Sequence, residues 1–278
     1  MDIFYLEEIC MYTFTLRFFL LMAAVCTLIC TLSVPLHTQA AEVTSAELVN
    51  RAGMQRMLSQ RIAKAYLYFG NDVSVKETKL QLEMALERFK INHTILKENV
   101  QDTETKDLLS FVDDTFTEYQ TLVNKPYTQE IAARVLELSD ILLETCHSVV
   151  LNIEDKSGMH VDHLINISGK QRMLSQRVSK FYIAYQAGFR DEGTVHNLNS
   201  SIEEFQAGLK KLMNEGMNNG EIDVLLAQSK KEWDRISPYF LKVREGGLPL
   251  MVLTATDEIM KRADRITSLY VEKVASKK

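Results

Sequence analysis

The sequence predicts an all-α protein built as two tandem antiparallel four-helix bundles, stacked end to end through a shared long helix. Three observations carry this prediction. Glycine (11) and proline (4) are scarce among the 278 residues, so breaks are few and elements are long. Apolar residues recur at helical spacing in segments of roughly twenty residues joined by short polar breaks, the pattern of an up-and-down bundle. The heptapeptide QRMLSQR occurs twice, at Gln55–Arg61 and Gln171–Arg177, 116 residues apart. Self-similarity at a fixed period signals internal duplication.

The first element is a leader. Phe18–Val34 is a run of 17 apolar or small residues without charge, preceded by Arg17, and Thr38-Gln39-Ala40 before Ala41 suits signal-peptidase cleavage. Residues 1–40 therefore read as a signal peptide, with an uncleaved membrane anchor as the alternative. Asp2, Glu7 and Glu8 are unusual ahead of such a run and raise a start at Met11. The expected location is periplasmic by export, or the inner membrane if the anchor stays. Cleavage would leave Cys146 as the sole cysteine, so the exported body must be held by its core.

Helical spacing then places four helices in the first unit, residues 43–155. Ala46–Phe69 carries Leu58, Ile62, Ala65, Tyr66 and Phe69 on one side and ends at Gly70-Asn71-Asp72. Val75–Glu98 carries Leu82, Leu86, Phe89 and Leu96; Thr103–Val123 stops near Pro126; Thr128–Glu154 is the fourth. The second unit, residues 156–278, repeats this at Ile165–Gly188, Thr194–Glu215, Glu221–Ile236 and Pro249–Val274. Asn50–Lys64 aligns with Asn166–Lys180, and Tyr66, Glu87, Phe89 and Leu96 fall without a gap on Tyr182, Glu203, Phe205 and Leu212. Later, Ser139-Asp140 faces Thr256-Asp257 with a shift of one. No proline lies between Ile131 and Gly188, and only Ser157-Gly158 and Gly169 interrupt. Helix four of the first unit is thus expected to run into helix one of the second, with both QRMLSQR segments near the junction.

On a wheel of about 100° per residue, Leu58 and Ile62 face the bundle core, while Gly53, Arg56, Met57, Gln60 and Lys64 fall opposite. The second copy puts Leu174 and Val178 inward and Gly169, Arg172, Met173, Gln176 and Lys180 outward. A core requires only apolar character at its own positions, so the outward side must meet something else. Residues 48–71 and 163–190 contain nine Lys and Arg in total and no acid, so these arginines are expected to lack helix-neighbour carboxylates. Arg presents a planar fork suited to small oxyanions, and Gly permits close approach to the backbone.

The Gly-x-x-Arg-Met-x-Ser-x-Arg pattern resembles the P-box of the sensor domain of nitrate/nitrite sensor kinases of the NarX/NarQ type. It is closer still to the PilJ-type domain at the N-terminus of type IV pili methyl-accepting chemotaxis transducers, whose hallmark is Ala-Gly-x-Gln-Arg-Met-Leu-Ser-Gln-Arg. Two copies would cover the chain from about residue 43 to its end. In the nitrate sensors, P-box helices of two subunits face each other and the first arginine of each holds one nitrate. The resemblance therefore implies ligand binding by Arg56 and Arg172, with Gly53 and Gly169 beside them; Gln60 and Gln176, on the same outward side of the wheel, are expected to join that site. Arg61, Arg177, Met57 and Met173 would support them. It further implies a non-enzymatic sensor of a small anion of the nitrate/nitrite class, able to form a homodimer. The chain departs from the sensors in Gln55, Gln60, Gln171 and Gln176, which are typical of the PilJ branch. It also ends at Lys278 without a second transmembrane helix, HAMP linker or kinase, so a signal would pass through a separate membrane chemoreceptor or sensor kinase. The other reading is a helical interaction protein that docks on such a receptor without a small ligand.

Other chemistry is weaker. The net charge of −5 disfavours nucleic-acid binding. His160 and His163 have metal-ligand spacing, with Asp155 and Asp162 nearby, but histidines in a solvated joint are ordinarily surface residues. Met54, Met57, Met159 and Met173 could suggest a soft metal, though Met at helical spacing usually packs. Cys146-His147 lacks a haem-attachment pattern. No nucleophile–base pair, phosphate loop or carboxylate pair stands out, so neither enzyme activity, cofactor nor metal is expected.

Overall fold

A computed structural model of the chain describes residues 43–245 and 247–275. The leader reading lies outside the described residues. These described residues form one compact unit. Its helices are α1 (Ser45–Gly70), α2 (Val75–Asn99), α3 (Thr103–Val123), α4 (Gln129–Ser157), α5 (His160–Gln186), α6 (Glu192–Met213), α7 (Gly220–Leu241) and α8 (Pro249–Ala275). No strand occurs among the described residues. The fold is all-α, as two four-helix units in tandem.

Local sequence sets the helix starts. The side chains of Thr44, Asp102, Thr128, Asp191 and Asn219 each accept the backbone N–H three residues on, satisfying a donor the first turn leaves free. Pro238 lies inside α7, which continues past the expected Ile236 to Leu241. Each half carries a stacked aromatic pair at equivalent positions: Phe89–Phe116 with centroids 4.1 Å apart, and Phe205–Trp233 at 3.9 Å.

The end-to-end arrangement through a shared helix is corrected by the structure. Gly158 adopts φ +60°, the left-handed conformation that closes α4, and α5 starts afresh at His160. The chain turns back there, and the second unit lies beside the first. α1 packs along α5 more extensively than any other two helices pack together. The pair runs parallel: Asn50 meets Arg172, Arg56 meets Asn166, Arg61 meets Gln176 and Tyr68 meets Ser179. These reciprocal contacts relate the halves by an approximate two-fold axis along the helices.

This explains the sequence of α1. Eighteen of its residues are buried, on every side, including Arg56, Met57, Gln60 and Lys64. The outward face of each repeat meets the outward face of the other. α2 and α4 cover α1, while α6 and α8 cover α5.

Candidate functional site

The site is built where α1 and α5 cross. Gly53 and Gly169, one on each helix, remove the Cβ atoms that would stand between them. A Cβ on Gly53 would lie 3.3 Å from Arg56 Nη2 and 3.4 Å from Arg172 Nη2. One on Gly169 would lie 3.1 Å from Arg172 Nη2 and 3.7 Å from Arg56 Nη2. The two guanidinium groups therefore converge under the glycines, and both are at most 1% exposed.

Their anchors are symmetric on one side and not on the other. Arg56 Nη2 donates to Asn166 Oδ1 (2.8 Å) and Asn166 O (3.3 Å); Arg172 donates to Asn50 Oδ1 (2.9 Å) and Asn50 O (3.3 Å). These are equivalent asparagines, each from the opposite half. The third partners differ. Arg172 Nη1 pairs with Asp264 Oδ1 at 2.7 Å, while Arg56 Nη1 meets His147 Nδ1 at 3.0 Å. His147 and Asp264 occupy equivalent positions on α4 and α8 in the register that pairs Asp140 with Asp257. A guanidinium can only donate, so His147 Nδ1 accepts and its ring is neutral. Burial, then the charges of Arg56 and Lys170, push the His147 pKa down to about 4. Burial, then the neighbouring Arg172, lower Arg56 to about 10. Of the two buried cations, Arg172 has a directly paired carboxylate and Arg56 has none among the described residues. The Nε atoms of both arginines are buried without a partner.

The other residues singled out by sequence take different places. Gln60 donates to Ser139 O (2.8 Å) and Gln176 to Thr256 O (3.4 Å), so their amides tie α1 to α4 and α5 to α8. Their amide N–H groups are thus engaged with buried backbone carbonyls. Met57 and Met173 are both buried. Arg61 reaches Asp257 (3.0 Å) and Gln176 Oε1 (3.2 Å); Arg177 reaches Asn197 (3.4 Å) and lies over the Phe181 ring. Arg51 corrects the expectation of no helix-neighbour carboxylate, pairing with Glu47 at 2.7 Å. Sequence reasoning missed Asn50, Asn166, His147 and Asp264. The asparagines were visible as aligned residues in both repeats; the other two differ between repeats and left no repeat signal.

Below the arginines the halves are cross-tied. Lys64 Nζ lies 2.5 Å from Asp257 Oδ1 and Lys180 Nζ lies 2.8 Å from Asp140 Oδ1. Both ammonium groups are fully buried, and burial lowers both to about 8 despite their partners. No group of three or more metal-ligating side chains occurs among the described residues, and no described helix is long and apolar enough to cross a membrane.

The family model for the type IV pili methyl-accepting chemotaxis transducer N-terminal domain, PilJ, matches residues 39–140 and again 157–257. The chain belongs to the PilJ family. It carries two copies of this sensory domain of chemotaxis transducers, so the facing arginines are the same PilJ position in each copy. The first match ends at Asp140 and the second at Asp257, the two acids that receive the crossing lysines. No curated protein and no solved structure matches the chain.

Proposed function

We propose that this tandem PilJ chain is a non-enzymatic sensory module that binds one small oxyanion, of the nitrate or nitrite class, between Arg56 and Arg172. One observation carries the reading: two fully buried guanidinium groups converge from opposite halves, with a single carboxylate directly paired to them. An isolated buried cation costs several kcal/mol unless matched by a counter-charge, and an oxyanion with planar acceptors matches an arginine fork. Gly53 and Gly169 leave room for the tips of both arginines to meet between the helices. The chain acts after export by its Phe18–Val34 leader and hands its bound state to a separate membrane chemoreceptor or sensor kinase.

A second reading, an interaction protein without a ligand, draws support from the Arg172–Asp264 pair, since a protein carboxylate already serves one arginine. Thermal unfolding of residues 41–278 with nitrate, nitrite, sulfate and phosphate decides between them. A ligand at 100 times its Kd stabilises by about 2.7 kcal/mol, readily seen as a rise in Tm. The oxyanion reading expects that rise with nitrate or nitrite and its loss in R56M/R172M. No rise with any anion, or the same rise in the double variant, favours the ligand-free reading.

A further inference from the structure

The arginine pair is sealed from solvent, so an anion needs a way in. Beside it, between α1, α2 and α8, lies a cavity of about 260 Å³ lined by Met57, Arg61, Met84, Arg88, Lys261 and Asp264, among others. Three of these are cations. Arg61 and Lys261 have acidic partners in Asp257 and Glu258, whereas Arg88 has no ion pair among the described residues. Asp264 links cavity and site: its side chain is about one-third exposed and its Oδ1 holds Arg172. The Arg88 charge is also felt at Arg172.

The equivalent face of the other half keeps only one of the three cations, Arg61 becoming Arg177. In repeat register, Arg88 becomes Glu204, Lys261 becomes Glu144 and Asp264 becomes His147. Glu204 is already held by Lys170 at 2.7 Å. A basic, low-dielectric cleft concentrates anions and speeds their association, and an acidic face does the reverse.

We propose that this cavity is a one-sided vestibule for small monovalent anions, and that Asp264 is the internal carboxylate an arriving anion displaces from Arg172. The proposal rests on the oxyanion reading of the arginine pair. Released from Arg172, the Asp264 carboxylate remains in a cavity that supplies Arg61 and Arg88 as alternative partners. The counter-charge built into the chain thus keeps Arg172 satisfied until a ligand takes over.

The test is a nitrate titration of residues 41–278 carrying 13C-methyl methionine, with line shapes at Met57, Met84 and Met260 giving association and dissociation rates. R88E/K261E, two exposed positions, should slow association about tenfold and slow dissociation nearly as much, leaving Kd within threefold. E144Q/E204Q should leave association within twofold. D264N should tighten nitrate binding about tenfold by removing the competing carboxylate. Equal association rates in wild type and R88E/K261E, or equal changes in both double variants, overturn the vestibule. Unchanged or weaker binding in D264N overturns the displacement. A wild-type protein with no response to nitrate overturns the oxyanion reading and the vestibule with it.

Discussion

Lys64 of the first half holds Asp257 of the second, and Lys180 of the second holds Asp140 of the first. The two crossings are equivalent in sequence but not in surroundings. Asp257 is nearly buried and also accepts from Arg61 and Gln81, whereas the Asp140 side chain is one-third exposed and its second cation, Arg177, stands 3.8 Å away. Removing one partner of a buried pair costs about 3–5 kcal/mol, because the other charge is stranded. Asp257→Asn should therefore lose about that amount in urea denaturation, and Asp140→Asn roughly 1–2 kcal/mol after allowance for solvent screening. The reverse ranking would mean that the buried crossing is not what locks the halves.

His147 should make the protein acid-sensitive. Its folded pKa, about 4, lies below its ordinary 6.5, so the unfolded chain binds the proton more readily. The neutral-ring contribution is complete above pH 6.5 and drains as pH falls toward 4. The half-buried ring should account for about 1–2 kcal/mol of that loss, screened from the full shift. Asn at this position can accept from Arg56 through its amide oxygen without titrating. Stability of His147→Asn between pH 7 and pH 4 should fall less than that of wild type; parallel curves would refute the assignment.

Gly53→Ala/Gly169→Ala should separate stability from binding. Alanine favours a helix by up to about 1 kcal/mol per site, which offsets the tight 3.1–3.4 Å contacts with the arginine tips. Net stability should change little while nitrate affinity drops about tenfold, because the added methyls press on the Nη2 atoms of both arginines and shift the donors an anion would use. Calorimetry on this variant reads both quantities. Unchanged affinity would place any anion elsewhere.

Gly158→Ala probes the turn between halves. No atom lies within 4 Å of a Cβ there, so the only penalty is the left-handed backbone at φ +60°. That costs about 1 kcal/mol for a residue other than glycine. Urea unfolding should show this loss with an unchanged oligomeric state. A cost near zero would mean that the turn has rearranged.

The repeat, the number and order of the helices and the arginine–glycine face were legible in the sequence, because each rests on local patterns that duplication printed twice; the start of α5 and the end of α7 were each placed five residues short. The side-by-side packing was not. Ser157-Gly158 is a weak break signal in sequence, since one glycine costs a helix only about 1 kcal/mol. What decided the matter was tertiary: two outward faces rich in Arg, Lys and Gln satisfy each other through Asn50, Asn166, Asp140 and Asp257. Within the site, Gln60 and Gln176 share the arginines' side of the wheel. Side-chain reach toward the carbonyls of Ser139 and Thr256, which a wheel does not display, took them elsewhere.

The short link at Gly158 has a consequence for inheritance. In an assembly of identical subunits, every amino-acid change appears on both sides of the axis at once. Joined in one polypeptide, the two arginine helices meet at any dilution, and each side can be altered singly. His147 opposite Asp264, and Glu204 opposite Arg88, are the trace of that freedom: a pair of duplicated arms, each free to specialise.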